Sequence, residues 1–99
     1  MLEKMIARGA EDPFVHYAYA MELRALGRTL EALEAFEAVR LRFPSYVATY
    51  LMAGQVAVEL AAYDRARDFL TTGLAAAEAA GDDHAKSELS SALATLPEG

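Results

Sequence analysis

The chain has 99 residues and a mass of 10.7 kDa, with 55% hydrophobic residues, 9% aromatics, no cysteine and a formal net charge of −6. That length builds one small core, and the missing thiols exclude a disulfide framework, thiol catalysis and thiolate metal sites. The acidic balance disfavours nucleic acid and anionic membrane surfaces as partners, because both reward a basic face.

Alanine occurs 22 times and leucine 13 times. Alanine is the strongest helix former and fills little space. The composition therefore predicts an all-α chain of closely approaching helices and speaks against a β-sandwich or barrel. The first predicted element is a short amphipathic helix over 2–8, carrying Leu2, Met5 and Ile6. Its mixed charges lack the apolar core of a signal peptide, and no apolar run approaches the ~20 residues of a membrane helix. No membrane association and a cytoplasmic location are the resulting expectations. Asp12-Pro13 reads as a helix cap followed by proline at the first helical position, opening a helix over 13–26. Gly27 ends it, and Thr29 is expected to cap the next helix, over 29–42. There Leu30, Leu33, Phe36 and Val39 form an apolar stripe, with Glu31, Glu34, Glu37 and Arg40 largely off it. Phe43-Pro44-Ser45 breaks the chain, because the residue before proline is driven out of the helical region. Ser45 is expected to cap a helix over 45–60. Leu60-Ala61-Ala62-Tyr63 is a softer break before a helix over 63–80. Gly81-Asp82-Asp83 closes that helix and caps the last, over 83–95, where Ala85, Leu89, Ala92, Leu93 and Leu96 oppose Lys86, Ser87, Ser90 and Ser91. No segment alternates as a strand would, and the short connections make successive helices antiparallel neighbours.

Sliding the chain against itself by 34 residues sets Ala20 on Gly54, Leu26 on Leu60, Gly27 on Ala61, Ala32 on Ala66 and Phe36 on Leu70. The rings of His16 and Tyr50 fall in the same register. Small residues recur where the helices of a hairpin come closest, and large apolar residues recur where they fill the space between hairpins. A helix–turn–helix unit of this period is the signature of tetratricopeptide repeats, and residues 13–80 resemble two of them. The resemblance rests on Ala20, Gly27, Ala32, Phe36 and Pro44 in the first repeat. In the second it rests on Tyr50, Gly54, Tyr63, Ala66 and Leu70. His16 stands where the family prefers tryptophan, Thr29 where an aromatic opens the second helix, and Val39 and Gly73 where alanine is expected. No proline closes the second repeat.

The resemblance implies antiparallel helix–turn–helix repeats in a right-handed superhelix of about five or six helices. It divides one domain, 1–99, into an N-terminal helix within 1–12, repeats at 13–46 and 47–80, and a C-terminal capping helix within 81–99.

Catalysis has little to work with. The two histidines, His16 and His84, stand 68 residues apart. Metalloprotease, nucleophile-elbow, P-loop and dinucleotide motifs are all missing. No catalytic residue, cofactor or metal site is expected, and the chain is not expected to be an enzyme. His16 reads as a packed ring, Asp82 and Asp83 as a helix cap rather than a metal cluster with His84, and Ser87, Ser90 and Ser91 as a solvated face. Glu31, Glu34 and Glu37 read as a solvated helix face, with Glu37 close enough to pair with Arg40, or as an acidic docking strip. Arg40, Arg42, Arg65 and Arg67 form a candidate basic patch.

In the family, the first helix of each hairpin lines a concave groove that takes extended or helical peptides. Carried onto this sequence, the lining is Phe14, Tyr17, Met21 and Arg24, then Tyr46, Leu51, Gln55, Val58 and Glu59. That surface is mostly apolar, with a polar or charged spot in each repeat, which suits an adaptable binding face. Members that clamp a chaperone's C-terminal carboxylate carry lysine, arginine and asparagine where this chain has Tyr17, Met21 and Leu51, so that specialised function is not expected. The expected function is binding of a protein or peptide segment in the groove. The alternatives are a terminal helix that fills the groove, and a scaffold that forms homo-oligomers through Met5, Ile6, Leu96 and the repeat ends.

Overall fold

In the computed structural model, which describes residues 11–97, the chain runs through five helices. They are α1 (Pro13–Ala25), α2 (Thr29–Arg42), α3 (Ala48–Glu59), α4 (Tyr63–Ala80) and α5 (Asp83–Ala94). No described residue lies in a strand, so the all-α expectation holds. The expected helix over 2–8 lies outside the described residues. Each helix packs on its neighbour in the chain, and α5 also lies against α3. The arrangement is two stacked helical hairpins, α1–α2 and α3–α4, with α5 where the first helix of a third hairpin would stand.

Local chemistry sets the helix ends. The Asp12 carboxylate accepts from the Phe14 N–H at 2.9 Å with Pro13 in the first turn, and Asp82 accepts from the Ala85 N–H at 3.0 Å. The hairpin turns close alike. The N–H groups of Arg28, Ala62 and Asp82 each reach five residues back, to the carbonyls of Leu23, Ala57 and Ala77, at 2.8–2.9 Å. That closure needs a left-handed residue just before the donor. Gly27 (φ +78°) and Gly81 (φ +68°) supply it without strain, whereas Ala61 does so at φ +56°.

Two expected caps are corrected. Arg28 holds the cap position of α2, and Thr29 is already helical, its hydroxyl reaching back to the Gly27 carbonyl at 3.5 Å. The tight closure through Gly27 leaves no room for another linking residue. Ser45 does not cap α3, because residues 43–46 form a turn closed by the Tyr46 N–H on the Phe43 carbonyl at 3.0 Å. The cause is tertiary. Tyr50 is fully buried, and its hydroxyl donates to the Pro44 carbonyl at 2.5 Å, fixing the turn and delaying the helix to Ala48.

Phe36, Tyr50, Phe69, Leu33, Leu70 and Leu89 are the largest fully buried side chains. Around them Ala20, Ala32, Ala53, Ala57, Ala66 and Ala77 have no exposed surface. The abundant alanine is thus partly interhelical spacing. At two positions even alanine is too large: a Cβ on Gly54 would sit 2.6 Å from Leu70 Cδ2, and one on Gly73 would run into the Tyr50 Cβ, with Leu89 close by. The glycine at 73 follows from that contact with Tyr50.

Candidate interaction groove

Residues seven apart on a helix share a face. On α1 that relation joins Tyr17 to Arg24, and on α3 it joins Leu51 to Val58 and Ala48 to Gln55. These helices are held side by side by two different contacts. At one end the Tyr17 ring meets Tyr46 edge-on at 5.8 Å, and packs on Phe36 at 5.9 Å and Phe14 at 6.5 Å. Burial pushes the Tyr17 phenol above its ordinary range, with nearby Tyr46 adding to the shift and Arg24 opposing it. At the other end Arg24 reaches from α1 to α3, bonding Gln55 Oε1 at 3.3 Å and Met52 Sδ at 3.7 Å, and pairing with Glu59 at 3.3 Å.

Two depressions of about 330 Å³ each lie along this face. The first takes Tyr17, Val47, Ala48, Leu51 and Met52 from the α1 and α3 side, and Asp82, His84, Ala85, Glu88 and Leu89 from the α5 side. The second is lined by Arg24, Gly54, Gln55, Val58, Glu59 and Leu70, with Ala92 and Thr95 opposite. Tyr17 and Leu51 therefore share the first chamber, and Arg24, Gln55, Val58 and Glu59 share the second. Phe14, Met21 and Tyr46 line neither. Phe14 is exposed beside Tyr17, Met21 is half-buried, and Tyr46 lies in the turn before α3.

The α5 wall was not among the expected lining residues. One signal for it was in the sequence: His16, Tyr50 and His84 stand 34 residues apart, so the ring position recurs in a third unit. Helix α5 walls both depressions and leaves them open beside α1 and α3.

The candidate basic patch and the acidic strip are partners in part, through Arg40 and Arg65. Arg40 forks onto Glu37 with two bonds of 2.7 Å, reaches Asp68 at 2.7 Å, and lies 4.2 Å over the Phe69 ring. The hydrogen bond to Glu37, aided by Asp68, holds the Arg40 proton more firmly than usual. Arg65 bonds Glu34 at 2.7 Å and lies 3.5 Å from Glu37. Arg28 bonds Glu31 at 2.6 Å and keeps its carboxyl below the ordinary range. Arg42 pairs with Glu11, and Arg67 donates to the Pro97 carbonyl at 3.0 Å. The contacts of Arg40 with Asp68 and of Arg65 with Glu34 and Glu37 tie α2 to α4.

His16 packs against the Phe43 ring at 5.4 Å, as a packed ring should, whereas His84 is exposed and sits 3.1 Å from Glu88. Among the described residues no group of three or more His, Asp or Glu side chains is placed to hold a metal ion, and no helix is long and apolar enough to cross a membrane.

Solved structures share this architecture. The solution structure of a tetratricopeptide repeat domain protein from Salinibacter ruber superposes with a TM-score of 0.80 at 34% identity, covering 85% of each chain. A crystal structure of a tetratricopeptide repeat domain protein from the same organism gives 0.78 at 34% identity, covering 85% of this chain and 93% of that one. A protein from Bordetella parapertussis gives 0.77 at 25% identity over 94% of this chain and 81% of its own. No protein-family model and no curated protein matches the chain.

Proposed function

Because the chain belongs to the tetratricopeptide repeat family, we propose that it is a non-enzymatic interaction module that holds a protein or peptide segment in the groove along α1, α3 and α5. The observation that carries this reading is the pair of open, largely apolar chambers aligned on one face of three helices. In this reading 13–46 and 47–80 are the binding repeats, 81–99 is a cap that also walls the groove, and the setting is the cytoplasm. Tyr17 and Leu51 supply apolar contact, and Gln55 supplies a polar anchor beside Arg24.

The test substitutes Leu51, half-buried against the core, and the exposed Val58, and reads the melt of each variant beside its capture. Leu51→Asp with Val58→Asp places charges in the two chambers, and Leu41→Asp on the exposed side of α2 serves as control. Capture from the native organism with wild type, double variant and control should return a partner that only the double variant loses. Unchanged capture by a double variant that melts like wild type would refute the groove.

A further inference from the structure

We propose that the groove takes a basic segment, one whose apolar side chains enter the two chambers while its lysine or arginine residues meet the acidic wall of α5; this rests on the groove reading above. The chambers are charged asymmetrically. Three carboxylates line them, Glu59, Asp82 and Glu88, against one arginine, Arg24. The accessibility of these charges differs as well. The side chains of Glu59 and Glu88 are each 48% exposed, whereas Arg24 is 25% exposed and its guanidinium is already held by Glu59, Gln55 and Met52.

An acidic ligand would have to break the Arg24–Glu59 contact to find a positive partner. A basic ligand instead meets Asp82 and Glu88, both exposed, and competes only with the solvent-exposed His84 for Glu88. The other described arginines and Lys86 lie outside both linings, and the remaining basic side chain among the described lining residues is His84, exposed beside Glu88. The apolar anchors are also spaced. Leu51 and Val58 are seven residues apart on α3, about 10 Å. That matches side chains seven apart on a helical ligand, or three apart on a polyproline-II one, where they share a face.

The experiment titrates the full chain with synthetic peptides that share a pair of phenylalanines set three or seven residues apart. The remaining positions are rich in lysine, glutamine or glutamate. Fluorescence polarisation at low and high salt reads the affinities. Lysine peptides should bind roughly fivefold tighter than glutamine peptides, the size expected of two exposed ion pairs, with glutamate peptides weakest. The preference should shrink as added salt shortens the Debye length. It should also shrink in the variant Glu88→Gln with Asp82→Asn, where asparagine keeps the helix cap. Equal binding of all three chemistries, lost in Leu51→Asp, would overturn the charge proposal and leave the groove standing. Binding that survives Leu51→Asp, or its complete absence, would overturn the groove reading itself. Self-association abolished by Leu51→Asp would make a second copy the occupant and overturn the proposal.

Discussion

Ala61 is held in the left-handed region at φ +56°, where a Cβ crowds the following carbonyl. An L-residue loses roughly 1–2 kcal/mol there. Its side chain is exposed, so removing the methyl opens no cavity. Glycine at 61 relieves the strain but returns freedom to the unfolded chain, worth roughly 0.5–1 kcal/mol. The balance favours Ala61→Gly by about 0.5–1 kcal/mol. In a domain of this size about 1 kcal/mol moves Tm by roughly 4–8 °C, so the melt should rise by roughly 2–8 °C. Gly27→Ala is the reciprocal test, because a Cβ there meets nothing within 4 Å and the effect is confined to the backbone. That variant should lose a similar amount, and the double swap should return close to wild type, since the two turns belong to different hairpins. Thermal melts followed by circular dichroism would read all four chains. A fall in Tm for Ala61→Gly alongside a neutral Gly27→Ala would refute the claim that the left-handed closure is strained at 61.

Gly73→Ala should destabilise by about 1–2 kcal/mol in urea titrations. Overlap with the Tyr50 Cβ, an atom tied to the backbone, outweighs alanine's better helix propensity. Thr49→Val should hold stability or raise it by about 1 kcal/mol, because the buried Thr49 hydroxyl finds no hydrogen-bond partner among the described residues; calorimetry decides the sign. Arg40→Met should cost about 1–2 kcal/mol after solvent screening, since Glu37 and Asp68 lose their shared partner and Phe69 its stacked cation. Arg40→Lys should fall between, because an ammonium cannot reproduce the fork, and denaturant midpoints for the three chains would show the order.

Much of the fold was legible in the sequence for a specific reason. The apolar stripes and the breaks at Gly27 and Gly81 are local signals, and α2 and α4 begin and end where those signals put them. The start of α3 was not legible, because it depends on the Tyr50 hydroxyl finding the Pro44 carbonyl, a contact that exists only once the ring is buried. The same holds for Gly73, whose smallness answers Tyr50 on another helix. In the candidate groove, the register placed residues on the faces of α1 and α3. It could not reveal that Arg24 is already held by Glu59, nor that Arg40 and Arg65 reach between α2 and α4 to Asp68 and Glu34, although the Glu37–Arg40 pair within α2 was legible. A terminal helix at the groove was one of the alternatives, but no α5 residue was named in the lining because 81–99 read as cover, although His84 kept the repeat's spacing.

The packing of α5 has a dynamic consequence. Among the described residues it leans chiefly on α3 and α4, at one end of a row of helices whose contacts pass mainly between neighbours. Stability in such a row is a sum of local couplings, and its ends open before its middle. Fraying of α5 would remove Asp82, His84 and Glu88 from the groove while the hairpins stay folded. A ligand lying across α3 and α5 would fasten that loose end, so occupancy should appear as slowed amide exchange in α5 with little change in the α1–α2 hairpin.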